Sequence, residues 1–521
     1  MQNTPASSTS IADATPIILL RILLASAIGI SFFFNIHTLP LFDLDEGAFS
    51  EATREMFLHG DFISTTLNGE PRYDKPILVY WLQALSTRAF GFSEIGFRLP
   101  SAIAASAWVL VIYGFVRQIK DERTGLYAGL MTATALQVSL IGRAAIADSL
   151  LNLFITVALF CIYLYYQNPN RRLLYMGFAA MGLGFLTKGP VAVLIPLVTS
   201  ALFFSLRGRF RGWYKAAFDL RGLLLFTLIA APWYGAQTLR QGQAFIEGFF
   251  FRHNLDRFQG PMEGHGGSLL YYLPVLIIGL LPFTAVLFKA ASCFKQDRQS
   301  DLGLFLWCWF LFVLVFFSFS GTKLPHYIVY AYPAILILMA THIGHLRSRL
   351  WALLPAVALF SFLAALPALL EKFKGLITDP FVMDILATTT DPFPANYTAA
   401  MLTALAVTIY FIIDKRFALA YKLSMIGVVT VTVFWGSLMP VIAEIKQSPI
   451  KQAALLVRDD PAPIVMWRLN TPSFLVYSER LTEKRPPQSG DLVLTKGIYL
   501  SELNNFQVLL EKHGIALIKL L

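Results

Sequence analysis

The chain has 521 residues, of which 56% are hydrophobic and 14% charged, with a mean hydropathy of +0.60. Soluble proteins carry about 25% charged residues, so too few polar side chains remain here to cover a water-facing surface, and a soluble multidomain enzyme is excluded. With 44 Phe, 20 Tyr and 9 Trp, the composition is that of a polytopic membrane protein with aromatic belts at its interfaces.

The net charge of +10 is not a nucleic-acid footprint, because Lys and Arg fall in short clusters between apolar runs and form no single stripe. Cys161, Cys293 and Cys308 lie in or beside apolar runs without metal-like spacing and read as unpaired. Residues 3–13 read as a polar, disordered leader. Residues 1–16 contain no Lys or Arg, and the run 17–36 has spanning length, so a cleaved signal peptide is not expected.

A spanning helix needs about 20 mostly apolar residues, or about 17 at the low end. Such runs are predicted at 17–36, 100–116, 124–141, 149–166, 173–187, 189–205, 222–239, 268–288, 302–319, 327–343, 350–370, 398–413 and 423–440. Lys188-Gly189-Pro190 reads as an interfacial turn between the fifth and sixth. About thirteen spans put the two ends on opposite faces. With the N-terminus cytoplasmic, the six short cytoplasmic loops hold eighteen Lys and Arg, against thirteen in the longer loops opposite. The positive-inside rule therefore selects that orientation.

Two outer segments are long enough to act. Within 37–99, residues 45–58 have a helical pattern and residues 76–90 are apolar and aromatic, and both read as interfacial helices along the outer leaflet. After residue 440 the composition becomes ordinary. A helix is predicted at 451–458, a strand at 463–468, a helix at 472–478, a strand at 491–495, a helix at 499–513 and a strand at 515–519. The predicted fold is thus an all-α polytopic membrane domain, residues 1–440, followed by a small extracytoplasmic α/β domain, residues 441–521. That tail has no phosphate loop or nucleophile motif, so a structural or partner-binding role is expected of it.

Ionisable residues gather at the outer mouths of the spans: Asp43, Asp45 and Glu46, then Asp74 and Lys75, Arg143 and Asp148, Lys188, the run Arg252 to Arg257, His265, Lys323 and His326. Mixed acids and bases at one membrane face describe a cavity that handles a charged group at the lipid boundary. The alternative for each is a solvated or snorkelling loop charge, and Asp45 is also readable as a helix N-cap. Lys75 precedes Pro76, and a lysine beside a Pro-started helix N-terminus suits a phosphate. Arg257 offers a guanidinium for bidentate phosphate binding. His253, His265 and His326 have no metal-like spacing.

Residues 45–56, the run Tyr73-Asp74-Lys75-Pro76-Ile77-Leu78-Val79-Tyr80-Trp81, Asp148, Thr187-Lys188-Gly189-Pro190, His253 to Phe258, His265-Gly266-Gly267 with Tyr271-Tyr272, and Ser320 to Tyr327 together resemble the GT-C glycosyltransferases. Among these the pattern is most similar to the bacterial transferases that move 4-amino-4-deoxy-L-arabinose to lipid A, and more distantly to the protein O-mannosyltransferases. The resemblance covers roughly residues 17–345. It implies transfer of a monosaccharide from an undecaprenyl-phosphate donor, or another polyprenyl-phosphate donor, to lipid A, another glycolipid, a glycan or a protein at the outer face of a bacterial inner membrane. It implies Asp45, Asp148 and Glu46 as catalytic acids and Lys75 and Arg257 as donor-phosphate ligands. Tyr73, Asp74, Lys188, His253, His265, Lys323 and Tyr327 would then line the cavity. No cofactor is required by this chemistry. Some members bind zinc near the cavity, but no full ligand set emerges from this sequence. Two departures stand out: Ala48 where a basic residue is common, and Asp74 where Glu is common.

Membrane lipids are the expected surroundings, nucleic acid is not an expected partner, and the chain is expected as a monomer. Two other classes compete. A transporter or flippase would need ionisable residues at mid-membrane and pseudo-symmetric halves, whereas the span centres are nearly free of charge and no repeat is visible. A surface-polysaccharide polymerase or ligase shares lipid-linked substrates but leaves the ordered first-loop motifs unexplained.

Overall fold

The computed structural model describes residues 15–261, 264–389 and 393–521; the predicted leader at 3–13 lies outside them. Every predicted span coincides with a helix or a bent pair of helices. Many of the helices begin where the sequence supplies an N-cap. Ser93 Oγ accepts from Gly96 N at 3.3 Å before the helix Glu94–Ile119, and Asp121 Oδ1 accepts from Thr124 N at 2.9 Å before Glu122–Thr134. Asn170, Asp219, Ser300 and Ser348 do the same for later helices. Among the described residues, eight helices are long and apolar enough to cross a membrane, or ten if each of two bent pairs counts as one span. Ile17–Phe33 and Val191–Leu206 are shorter apolar helices.

The two bent pairs correct the expectation of straight spans at 124–141 and 268–288. Glu122–Thr134 and Leu136–Arg143 meet at 67°, and Tyr272–Gly279 and Thr284–Ser292 at 119°. Pro282 explains the second break, since it lacks an amide hydrogen and disfavours helical backbone in the residue before it. The first falls at Ala135, whose backbone is extended. The breaks satisfy each other: Leu136 N donates to Leu281 O at 3.1 Å. Freed backbone groups at membrane depth are tolerated only with such partners.

The helix Asp45–His59 also departs from expectation. It was predicted to lie on the outer leaflet, yet residues from Glu46 to Met56 are buried. Its sequence carries a charge on almost every face, and all of its buried charges find partners. Arg54 pairs with Glu51 at 2.7 Å, and Glu55 accepts from Asn68 N and Gly69 N. By contrast Leu78–Phe90 leaves Trp81, Leu85 and Phe90 exposed, as an interfacial helix should.

The tail forms a four-stranded sheet. Ile464–Met466 runs parallel to Leu492–Lys496, which pairs antiparallel with Ile515–Leu520, and Phe506–Lys512 closes the far edge. Five predicted tail elements are present, but the helix predicted at 499–513 is not. A short 3-10 turn, Gly497–Glu502, is followed by a strand that pairs with the last one. The reason is His513-Gly514. Both take positive φ (47° and 73°), the geometry of a two-residue hairpin turn, which overrides the helix-like spacing of Phe506, Leu509 and Leu510.

This sheet does not stand apart from the membrane domain. Ile450, Phe474, Leu492 and Leu517 share one apolar cluster with Leu41, Phe97 and Ala145. Polar contacts seal the seam. Ser473 N donates to Asp43 Oδ1 at 2.8 Å, Tyr477 OH donates to Glu94 Oε1 at 2.9 Å, and Leu41 N donates to Tyr477 OH at 2.7 Å. Burial pushes the Asp43 carboxyl up to about 7, against the two Ser473 hydrogen bonds. Gly47 is where the helices touch: a Cβ there would lie 2.4 Å from Ser473 N and 2.3 Å from Asp43 Oδ1. Gly47→Val is therefore expected to lower stability by about 1–3 kcal/mol and to expose the tail to protease, measured by thermal unfolding and limited proteolysis in detergent. Gly212→Ala, which meets nothing within 4 Å, serves as the near-neutral control.

Candidate active site

Three segments converge on one buried carboxylate. Asp148 opens the helix Asp148–Gln167, Lys188 closes Arg171–Lys188, and Tyr330 lies on the 3-10 segment Pro325–Ala331. Lys188 Nζ donates to Asp148 Oδ1 at 2.7 Å, and Tyr330 OH donates to the same oxygen at 2.8 Å. His326 Nε2 lies 3.9 Å away. The Lys188 ammonium also sits 5.5 Å from the Tyr330 ring centre and 5.8 Å from that of Tyr327, within cation–π range. Gly189, at φ +77°, lets the chain leave Lys188 and turn into the next helix; a Cβ there would come within 2.6 Å of the Phe249 ring.

The first loop brings a second charged group to the same place. Asp74 pairs with Arg72 at 3.3 Å and with His253 Nε2 at 3.2 Å. Burial would raise the Asp74 carboxyl, but Arg72, Lys75, His253 and Arg257 outweigh it and hold it below the usual range. Lys75 is pushed down to about 8 by burial, with the charges of Lys188, Arg257 and Arg72 acting the same way and Asp74 opposing them. Its Nζ donates to Asp74 O at 3.1 Å. Beside these residues lies a cavity of about 360 Å³, lined by Asp74, Lys75, Lys188, His253, Arg257 and Tyr327 on its polar side and by Phe250, Phe258, Phe316 and Phe317 on its apolar side. Three cations facing an aromatic wall suit an anionic headgroup on an apolar chain.

The structure thus brings together six of the residues singled out in the sequence, with Asp148 directly behind Lys188. It does not bring the rest to the cavity wall. Asp45 is exposed at the start of its helix and makes no hydrogen bond among the described residues, but its charge reaches Arg72, Tyr80 and His326.

Glu46 has a placement unlike a catalytic acid. It is 5% exposed and its oxygens accept from Arg98 at 2.8 and 2.7 Å, from Phe42 N at 2.9 Å and from Ala145 N at 2.8 Å. Burial pushes its carboxyl up, but Arg98 and these bonds outweigh it, so it stays below the usual range. With its lone pairs spent, it fixes the loop. Tyr73 packs on Gly248 and Phe245. His265 is exposed, with its carbonyl accepting from Lys323 N at 2.8 Å, while Lys323 Nζ is buried and donates to Ser320 O at 2.6 Å.

Sequence reasoning missed three residues. Tyr330 stands three residues after Tyr327, a spacing that eclipses side chains on a 3-10 turn and could have flagged it. Arg98 is the hub of the loop: besides Glu46, it donates to Leu39 O at 2.6 Å, Pro40 O at 2.8 Å and Ile36 O at 3.2 Å. Arg72 is buried, with its guanidinium 5.1 Å from the Phe49 ring centre. No local signal marks Arg98, because its partners are distant in sequence, and Arg72, although it pairs with the nearby Asp74, is set apart only by its burial against Phe49. For a metal, His253 and Asp74 could supply two ligands. Among the described residues no group of three His, Cys, Asp or Glu side chains stands ready to hold an ion, so the residues present do not make a full site.

The profile of the dolichyl-phosphate-mannose-protein mannosyltransferase family matches residues 74–235, the stretch that carries Lys75, Asp148 and Lys188. A protein of Aquifex aeolicus with no assigned role is 32% identical over 314 residues, which are 60% of this chain and 70% of that protein. The chain belongs to the GT-C membrane glycosyltransferases. The undecaprenyl phosphate-alpha-4-amino-4-deoxy-L-arabinose arabinosyl transferase of Aeromonas salmonicida is 31% identical over 307 residues, 58% of this chain and 56% of that protein. The matched region thus spans about half the length of such relatives. In fold, the chain is similar to ArnT from Cupriavidus metallidurans, solved bound to undecaprenyl phosphate. The TM-score is 0.77 at 19% identity, covering 97% of this chain and 98% of that one. The archaeal oligosaccharyltransferase AglB from Archaeoglobus fulgidus is similar more remotely, with a TM-score of 0.50 at 13% identity over 89% of this chain and 64% of that one.

Removing one partner of a buried ion pair leaves the other charged and unpaired, at a cost of about 3–5 kcal/mol. Lys188→Met is therefore expected to lower the thermal midpoint strongly, and adding Asp148→Asn to that variant should restore much of the loss. A double-mutant cycle by thermal unfolding in detergent measures both.

Proposed function

We propose that this protein is a multi-pass glycosyltransferase of the bacterial inner membrane that moves a monosaccharide from undecaprenyl phosphate, or a related polyprenyl carrier, to a glycolipid such as lipid A at the outer face. The observation that carries this reading is the cavity itself. Lys75, Lys188 and Arg257 converge on a space of about 360 Å³ whose other wall is phenylalanine, which matches a phosphate on an isoprenoid chain. The loop charge bias supports a cytoplasmic N-terminus and an outer C-terminal sheet, which sets the cavity at the outer face.

In the proposed reaction, an acceptor oxygen attacks the anomeric carbon of the donor sugar as the bond to the phosphate oxygen breaks and the phosphate departs with the electron pair. Lys75 and Arg257 stabilise the charge that develops on the phosphate in a site partly shielded from water. Asp148 holds Lys188 in place beside them. An acceptor hydroxyl gives its proton to Asp45. An acceptor phosphate is already ionised and needs only to be positioned. Attack opposite the leaving group inverts the anomeric centre. No nucleotide pocket is required, because the carrier supplies the activated sugar.

The low position of Lys75 gives this reading a pH signature. Above about 8 the free amine prevails, so the affinity for undecaprenyl phosphate should fall as pH rises from 7 to 9.5. Lys75→Arg should keep binding through that range, and Lys75→Ala should bind weakly throughout. Titration of the reconstituted protein with the carrier lipid measures this. A pH-independent affinity that Lys75→Ala does not change would reject the phosphate seat. Stability carries the opposite slope. The unfolded lysine binds its proton more tightly than the folded one between about 8 and 10.5, so this group stabilises the fold as pH rises through that window.

A further inference from the structure

At the other end of the same helices lies a second cavity of about 150 Å³, with a different character. It runs between the helices Asp148–Gln167, Arg171–Lys188, Val191–Leu206 and Leu220–Ile246, and the short helix Phe210–Ala217 closes its end. Gly177, Met181, Val193, Leu197 and Phe226 are among its lining residues. From Val193 to Phe204, both on its wall, the helix rises ~16 Å at 1.5 Å per residue, enough to lie along an acyl chain. Its polar groups are few. Ser200 Oγ is already engaged, accepting from Trp213 Nε1 at 2.9 Å and donating to Pro196 O at 2.6 Å. An apolar chain is the occupant this wall accepts.

The charge around the mouth is one-sided. Arg171, Arg172, Arg211, Lys215 and Arg221 are exposed, and none has an acidic partner among the described residues. The one carboxylate close by in the chain, Asp219, caps the next helix by accepting from Gly222 N at 2.9 Å. Arg171, Arg172 and Arg221 stand in first helical turns, where a cation gains nothing from the helix dipole. The helix Phe210–Ala217 buries none of its residues and exposes Phe210 and Tyr214 beside Arg211 and Lys215, the make-up of a segment seated at a lipid headgroup layer.

We propose that this groove is a binding site for an anionic phospholipid of the leaflet opposite the catalytic cavity, with an acyl chain between the helices and the headgroup phosphate among Arg171, Arg172, Arg211 and Lys215. The site is separate from the donor cavity and stands independently of the transferase reading. The bound lipid would brace Arg171–Lys188 and Val191–Leu206, the two helices that meet at Lys188.

Native mass spectrometry of the full chain, purified in mild detergent and offered phosphatidylglycerol or phosphatidylcholine, tests this. The wild-type protein is expected to retain one phosphatidylglycerol in preference to phosphatidylcholine. The double variant Arg211→Glu, Lys215→Glu should lose that preference at least fivefold. Gly177→Phe, whose Cβ has room (nearest atom 3.7 Å), should block the groove. Leu197→Trp, at a partly exposed lining position, does the same if Gly177→Phe fails to fold. Unchanged retention in the charge variant and in a folded groove variant would overturn the proposal. Equal retention of the two lipids, or recovery of a polyprenyl phosphate from the groove in place of a phospholipid, would overturn it as well.

Discussion

A single ion pair carries much of the architecture. The Asp148–Lys188 contact at 2.7 Å, with Tyr330 on the same oxygen, joins three segments at the mouth of the membrane bundle. A carboxylate and an ammonium at such a depth are stable only together, so the ends of two helices and the entry to a third are held in one arrangement. Lys75, Arg257 and His253 stand around this point, and with Lys188 they form the cationic side of the cavity.

The first loop is organised in the same way. Arg98 gathers the carbonyls of Ile36, Leu39 and Pro40 and both oxygens of Glu46. One guanidinium thus fixes the exit of the first helix against the start of the next. The tail helix Pro472–Ser478 then docks on the segment that leads into that helix, with Ser473 on Asp43 and Tyr477 on Leu41. Asp45, next to Glu46, is held in a defined position without being consumed by any bond among the described residues. In the proposed reaction this distinction separates the two neighbours: Glu46 shapes the loop, and Asp45 stays available for the acceptor.

Much of this was legible in the sequence. Hydropathy located the apolar helices, because a hydrocarbon solvent demands long apolar runs whatever their tertiary partners, although among the described residues eight of them, or ten with the bent pairs, rather than thirteen, are long and apolar enough to cross. Charged residues confined to span ends gave the cavity. What failed depended on contacts between distant residues. The helix at Asp45–His59 has the amphipathic look of a surface helix, but Glu46 is paired with Arg98, and Glu55 with Thr66 and Asn68, and no local pattern encodes that. The strand at Phe506–Lys512 reads as a helix until His513-Gly514 is recognised as a hairpin turn. The bends at Ala135 and Pro282 compensate each other through a hydrogen bond between residues 136 and 281, which neither run reveals alone. Tyr330 and Arg72 escaped notice because tyrosines and arginines beside a membrane are common, and only proximity to Asp148 and Asp74 sets these two apart.

In the proposed transfer the cavity delivers a carrier-linked sugar to an acceptor, with Asp45 acting on that acceptor. Mass spectrometry of lipid extracts tests it most directly, comparing cells that lack this gene, cells restored with it, and cells restored with Asp45→Asn. In the deletion a sugar-phosphate polyprenol is expected to accumulate and one glycan modification to disappear; the wild-type gene should reverse both, and Asp45→Asn should behave as the deletion. Unchanged lipid-linked sugars and modifications across all three strains, with expression confirmed, would contradict it.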